Sequence, residues 1–312
     1  MKKLTLILLT LLAGLSATAQ ETYRYAERDT LSLYLDIYRP AAGAETTYQG
    51  IAKPTILYVF GGGFLMGTRS DSVACQWFNT LNANGYAVVA IDYRLGMKGY
   101  RLGKGLSGAV KAAKQLYLSQ QMGVEDVFAA VSFLAEHPDL GIDVDNMVVS
   151  GSSAGAIISL ASAYSIANGT AEGLPGNFRF KGVMSFAGGI ISQTGAPKFA
   201  NAPCPLLLLH GTVDKAVADR HQGAFGLGIW GSSFLADQLK KNNWNYCFWR
   251  FNQRGHDVAV YMDYLWSIEK DFLEKNVMLG VPSTVDALVD DPSLPTWTWG
   301  KISTNDIYHK KR

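Results

Sequence analysis

Two serines stand side by side in VVSGSSAGAII, residues 148–158. The spacing G-x-S-x-G fits once, with Gly151, Ser153 and Gly155; a register on Ser152 needs glycines where Ser150 and Ala154 stand. A serine hydroxyl attacks an acyl carbon only when a base takes its proton. Met147 to Val149 is an apolar run with the character of a short buried strand, and AGAIISLASAYSIA after it suits a buried helix. Strand, sharp turn and helix is the context that lifts a nucleophile clear of a sheet. Small residues are needed where strand and helix nearly collide. The bland reading of the same letters is a strand-to-helix turn with chance glycines, so the partners decide.

The base should be a histidine held by a carboxylate. Five histidines are available. His137 lies at a helix end in EHPDL, His210 ends LLLLH, His221 sits in a polar stretch and His309 in the tail. His256, in QRGHDVAVYM, follows the last strand-like run and precedes the last helical one. That places it at the carboxyl edge of a sheet, where open α/β folds bind ligands. The alternative is a helix-start histidine capped by Asp257. Asp214, in HGTVDKAV, is the carboxylate of choice, four residues beyond LLLLH. Asp219 lies further along, and Asp257 adjoins the base too closely to point at it. Acyl transfer also needs donors for the developing oxyanion. The N–H of Ala154 is one. VFGGGFLMG, just after the strand-like TILYVF, is the second source, because three glycines leave backbone N–H groups bare.

These residues need a frame. LSLYLDIYRP (31–40) alternates like an antiparallel edge strand. TILYVF, YAVVAIDY, MVVSG, KGVMSFAG, PLLLLHG and NYCFWRFN follow, and their nearly continuous apolar runs suit a parallel sheet covered on both faces. Helical patterns fall near 71–84, 105–120, 123–136, 154–168, 230–242 and 257–275. The alternation predicts an α/β fold, a mostly parallel central sheet with helices on both faces, in a single domain over 20–280. The tail 281–312, with DDPSLPTWTWG, reads as irregular chain packed on the body. Residues 97–122 are longer than a minimal connection and read as a rim over the site or a plain surface helix. HQGAFGLGIWGSS (221–233) reads as another wall. Trp297 and Trp299 suit packing against the body better than sugar stacking.

MKKLTLILLTLLAGLSATAQ has a basic start, an apolar stretch too short for a bilayer and an A-x-A cleavage pattern. It predicts a signal peptide over 1–19 and export to the periplasm or outside. No later run is long and apolar enough for stable membrane insertion. Without the leader's two lysines the 28 basic residues fall to 26, equal to the 26 acidic ones. That balance, without a basic run, argues against a nucleic-acid partner. Cys75, Cys204 and Cys247 have no metal-ligand spacing and are expected to be inert.

Taken together, LYLDIYRP, FGGGF, AIDYRLG, VEDVFAAVSFL, GSSAG, HGTVDKAV and GHDV resemble the α/β-hydrolase esterases over about residues 30–275. The likeness is to the HGGG-loop group of carboxylesterases, hormone-sensitive-lipase-like enzymes and polysaccharide acyl esterases. The order serine, acid, histidine is that of the fold. The resemblance implies an acyl-enzyme mechanism needing no metal or cofactor, with Gly62, Gly63 and Ala154 as oxyanion donors. Phe60 stands where the loop usually carries histidine, which bears on loop geometry rather than on the triad. The expected activity is hydrolysis of carboxylic esters, small-molecule or polysaccharide-linked, with acetyl and feruloyl groups as candidates. The rivals are a prolyl-oligopeptidase-like peptidase and a silent hydrolase-like binding protein.

Overall fold

The computed structural model describes residues 20–28 and 30–295. The expected leader, His309, Trp297 and Trp299 lie outside the described residues. The described residues form fourteen strands and five α-helices. The strands are β1 (Glu21–Arg28), β2 (Leu31–Tyr38), the short pair β3 (Thr47–Tyr48) and β4 (Ile51–Ala52), β5 (Thr55–Val59), β6 (Val88–Ile91), β7 (Met147–Ser152), β8 (Gly182–Phe186), β9 (Gly189–Ser192), β10 (Leu206–Gly211), β11 (His221–Ala224), β12 (Leu227–Gly231), β13 (Tyr246–Phe251) and β14 (Thr284–Val289). The helices are α1 (Ser72–Ala83), α2 (Gly105–Glu136), α3 (Ala154–Ala167), α4 (Ser232–Lys241) and α5 (Trp266–Asp271).

Nine strands form the central sheet in the order β1-β2-β6-β5-β7-β8-β10-β13-β14. β1, β2 and β6 pair antiparallel; from β6 to β14 every pairing is parallel. Every residue of β5, β7, β8 and β10 is buried. Both faces of these strands are therefore covered, which is why they read as unbroken apolar runs. β9, β11 and β12 form a separate antiparallel sheet.

Four readings of the chain are corrected. β2 is not the edge strand; β1 lies outside it, and its polar ETYRYAER is half-exposed, so it carries no apolar signature. The two helices expected over 105–120 and 123–136 are one helix of 32 residues. Gly123 suggests a break, but its role is contact: a Cβ there would lie 2.4 Å from Ile158 Cδ1 of α3. The helix expected over 257–275 is fragmented into 3-10 turns at His256–Val260 and Met262–Leu265, then α5, then a π-helical stretch at Phe272–Met278. The tail is not irregular throughout: β14 adds a ninth strand parallel to β13. Its residues alternate exposed and half-buried, and Asp286 pairs with Arg250 of β13.

Two buried carboxyl groups, Asp126 and Glu269, lock this frame. Asp126 of α2 accepts the backbone N–H of Arg94 at 2.8 Å and its Nε at 3.0 Å. DYR and VED in the sequence are thus the two halves of one bond between the β6 loop and α2. Glu269 of α5 is fully buried and accepts the Trp77 Nε1–H at 2.7 Å. Burial pushes its carboxyl well above the usual range, and the Trp77 bond offsets only part of that. The unfolded chain releases this proton near the ordinary value, while the folded chain keeps it. Folded protein then holds more protons across that window, and stability falls as pH rises through it. Glu269→Gln is therefore expected to lose less stability than the parent between about pH 5 and about pH 8. Thermal unfolding at both values measures this; equal losses would mean that Glu269 is already ionised.

No disulfide joins the three cysteines; Cys247 is buried, whereas Cys75 and Cys204 are half-buried. Burial pushes the Cys204 thiol up to about 12.

Candidate active site

The serine turn is built by collision. β7 ends at Ser152 and α3 begins at Ala154, so Ser153 must reverse the chain alone, at φ 52 and ψ −115. A residue other than glycine rarely takes a positive φ, and such strain concentrates at functional positions. A Cβ on Gly155 would lie 1.9 Å from the Val59 carbonyl oxygen at the end of β5. The expected near-contact of strand and helix is thus present in the backbone. Ser153, not Ser152, faces the cavity described below; Ser152 Oγ is buried without a partner.

His256 and Asp214 arrive on neighbouring parallel strands, β13 and β10. His256 opens the 3-10 turn after β13, and Asp214 follows β10. The two loops are stitched together: Thr212 N–H donates to the Phe251 carbonyl at 3.0 Å, and Val213 N–H to that of Arg254 at 3.0 Å. His256 Nε2 lies 2.7 Å from Ser153 Oγ, and its Nδ1 lies 2.7 Å from Asp214 Oδ2. All three side chains are buried. With Nδ1 protonated toward the carboxylate, Nε2 is free to accept the serine proton.

The other oxygen of Asp214 is held too: Oδ1 accepts the N–H groups of Ala216 at 2.8 Å and Val217 at 3.0 Å. Burial alone would raise the Asp214 carboxyl, but its interactions with His210 and His256 outweigh burial and hold it well below the usual carboxylate range. It is therefore an anion at any working pH.

His210 is the residue that sequence reasoning passed over. It is fully buried, with Nδ1 2.8 Å from Ser232 Oγ and Nε2 2.9 Å from the Val217 carbonyl oxygen. The same Nε2 is 3.5 Å from Asp214 Oδ2. The imidazole thus braces the acid loop against α4. Its only sequence signal is a histidine at the last turn of an otherwise aliphatic strand. His221, another candidate passed over, lies on β11 and stacks on Trp230, and His137 ends α2. Asp219 accepts the Ser233 hydroxyl, and Asp257 pairs with Tyr261, so neither competes with Asp214.

Gly63 and Ala154 line the cavity beside Ser153. Ala154 opens α3, where the first N–H groups have no acceptor within the helix. Gly62 sits one residue behind, its carbonyl taken by the N–H groups of Leu65 at 3.1 Å and Met66 at 3.2 Å. Phe60 supports the loop in place of histidine: its ring packs 4.4 Å from that of Tyr93, whose hydroxyl donates to the Phe60 carbonyl at 3.1 Å.

The cavity holds about 470 Å³. One wall is the first three turns of α2, with Leu106, Ala109, Val110 and Ala113. The facing wall is the β11–β12 hairpin. Both stretches read as rim and wall in the sequence do line the site. Gln120 fixes α2 over it by exchanging two hydrogen bonds with the backbone of Ile191, at 2.7 and 3.0 Å. Among the described residues no Asp, Glu, Lys, Arg or His lines the cavity, and Ser153 and Gln222 are its polar side chains.

The sheet order, the elbow and the sequence order Ser153, Asp214, His256 define an α/β-hydrolase. Residues 17–192 match the carboxylesterase family, and the chain belongs to that family. Among solved structures the chain is similar to esterase 2 of the planctomycete Thermogutta terrifontis. For the apo form the identity is 20% over 83% of this chain and 96% of that one, with a TM-score of 0.57. A puromycin-hydrolyzing peptidase of Mycobacterium tuberculosis has the same fold, at 19% identity over 88% of this chain and 41% of that one, TM-score 0.55. Human dipeptidyl peptidase 8 is 28% identical over 264 residues, 78% of this chain. The chain spans 27% of the length of that relative and of its mouse counterpart.

If the acid holds the imidazole in its working tautomer, removing its charge must disable the base. Asp214→Asn is expected to lower kcat by about 10⁴-fold with little change in fold. Steady-state kinetics with a soluble aryl ester, beside a far-UV spectrum, measures this. A loss below about tenfold would show that His256 needs no anion.

Proposed function

We propose that this protein is an exported serine esterase that cleaves uncharged esters with an apolar acyl group, through Ser153, His256 and Asp214. The observation that carries the reading is the hydrogen-bonded line Ser153–His256–Asp214 opening into a cavity that no charged side chain of the described residues lines. Ser153 Oγ attacks the ester carbonyl as His256 Nε2 takes its proton. The oxyanion is received by the N–H groups of Gly63 and Ala154, with Gly62 behind them. The alcohol leaves with the proton from His256. Water, activated by the same base, then attacks the acyl-enzyme and frees the acid.

The lining favours acyl groups larger than acetyl, because an acetyl group leaves most of the apolar wall wet. Polysaccharide esters fit when an aromatic acyl group such as feruloyl enters and the sugar stays outside, since the walls give a sugar few partners. The similarity to dipeptidyl peptidase 8 and to the mycobacterial peptidase supports a second reading, peptide hydrolysis. A free α-ammonium group bound in this cavity would meet no carboxylate, and a desolvated unpaired cation is costly. That favours the ester.

A panel of aryl esters of rising acyl length, beside aminoacyl anilides, tests the reading. Turnover that rises from acetyl toward hexanoyl, with none on the anilides, is the expected result. Ala113→Phe, which narrows the cavity, should lower kcat/KM for the long esters by about tenfold or more and spare acetyl. Anilide turnover above that of the esters would replace the esterase with the peptidase.

A further inference from the structure

The mouth of the cavity is unusually apolar for solvent-facing chain. Among the described residues the three most exposed large apolar side chains are Phe225 at 83%, Leu102 at 74% and Leu106 at 67%. Phe225 and Leu106 line the cavity from its two opposite walls. Leu102 lies four residues before Leu106, in the segment that leads into α2. Leu65 and Val213, each next to or near a site residue, are also exposed. Apolar side chains scattered over a surface need no explanation, but a cluster around one opening does.

The same segment is strongly cationic. Residues 95–124 contain Lys98, Arg101, Lys104, Lys111 and Lys114 and no acidic residue. All five are exposed, and none pairs with a carboxylate among the described residues. The mature chain as expected from the sequence is balanced, so this excess is local. Along α2 the helical period puts Leu106, Ala109, Val110 and Ala113 on the cavity side and Lys111 and Lys114 away from it. At the tip, Lys98, Arg101 and Lys104 alternate with Leu102 and Leu106. Exposed Lys215, beside Asp214, adds a cation on the far side of the site.

We infer that this tip, with Phe225 opposite, is a docking surface for an anionic lipid–water interface, from which apolar ester enters the cavity. Leucine and phenylalanine at the opening insert at the headgroup level, and the flanking cations meet anionic headgroups. An acidic polysaccharide would use the cations but would leave the three apolar side chains in water. A second copy of the chain would bring five like charges against five. Lipid alone uses both halves of the surface. The catalytic consequence rests on the esterase reading above; docking itself does not.

The test is sedimentation of the full mature protein with vesicles of phosphatidylcholine, with and without phosphatidylglycerol, at low and high salt. Binding to anionic vesicles is expected to be at least about tenfold tighter than to neutral ones and to weaken with salt. The triple variant K104E/K111E/K114E should lose that preference, and Arg101→Glu should reduce it. Leu102→Ser should weaken binding to anionic vesicles by about tenfold. None of these residues lines the cavity, so turnover of a soluble aryl acetate should stay at the parent value in every variant, which also reports that each is folded. Absence of a preference for anionic vesicles at low salt overturns the proposal. So does binding to polygalacturonate as tight as to the vesicles and indifferent to Leu102→Ser, which would assign the surface to an acidic polymer. A dimer in gel filtration that Leu102→Ser dissociates would assign it to a second copy. Because binding is read without turnover, an inactive protein that binds vesicles would sink the esterase reading and leave the docking surface standing.

Discussion

Ser153→Ala is expected to lower kcat for a soluble aryl ester by at least about 10⁴-fold, with KM changed only a few-fold. The substitution removes the one oxygen that both faces the cavity and lies 2.7 Å from His256 Nε2. What survives is whatever the N–H groups of Gly63 and Ala154 contribute to water attack. Loss of a hydroxyl at a position already strained does not force the fold to change, so thermal unfolding should stay near the parent value. Ser152→Ala is the matched control, because Ser152 Oγ is buried and has no partner. It should keep kcat within a few-fold. Peptide mass spectrometry after fluorophosphonate treatment provides a second readout: one adduct on Ser153, absent from His256→Ala. Retention of more than about one-hundredth of parent activity in Ser153→Ala would remove the serine from the chemistry. An adduct on Ser152 would move the nucleophile by one residue.

Gly155→Ala should be among the most damaging single methyls that can be added near the site. The new Cβ would meet the Val59 carbonyl oxygen at 1.9 Å and the Phe60 carbonyl oxygen at 2.6 Å. Both are backbone atoms, and β5 is fixed between β6 and β7 in the middle of the sheet. No side chain can swing aside, so α3 must shift. Overpacking of this kind costs about 3 kcal/mol, which lowers Tm by about 6–12 °C in a domain of this size. The helix carries Ala154 and follows Ser153, so its displacement also moves the proposed nucleophile and the proposed oxyanion donor. A shift near 1 Å is worth about 10²-fold in kcat. Thermal unfolding and kinetics on one preparation measure both. A variant with parent Tm and kcat would mean that strand and helix do not approach as described.

The site was more legible than its frame. Ser153, Asp214 and His256 could be named because each sits in a short loop just beyond a strand that is fully buried (β7, β10) or largely so (β13), and such strands announce themselves as apolar runs. Their loops carry glycines or turn-formers that local chemistry demands. The elements that escaped are those whose pattern is set by partners rather than by burial on both faces. β1 and β14 are half-wet edges: ETYRYAER is mostly polar, and TVDALV is interrupted by Asp286, so neither reads as an unbroken apolar run. Gly123 read as a helix boundary because its real constraint, Ile158, is on another helix. His210 read as the end of a strand because its role depends on Ser232, Val217 and Asp214 meeting it in space. The length of the last helical segment was overstated for a related reason. An apolar period continues through 257–275, but the backbone there is divided among 3-10, α and π turns.

The order of the three residues along the chain has a consequence for how the protein is made. Ser153 precedes His256 by 103 residues, and Asp214 precedes it by 42. The strands that hold the base and the acid, β13 and β10, lie to one side of β7 and join the sheet after it in sequence. Domains grow from the N-terminus during synthesis. Ser153 is therefore laid down well before His256, and a nascent chain that has not yet passed β13 lacks the histidine that the folded site sets against its hydroxyl. On the proposed mechanism the serine is armed only once β13 and the turn after it have been made, so the shorter nascent chain is an unarmed polypeptide.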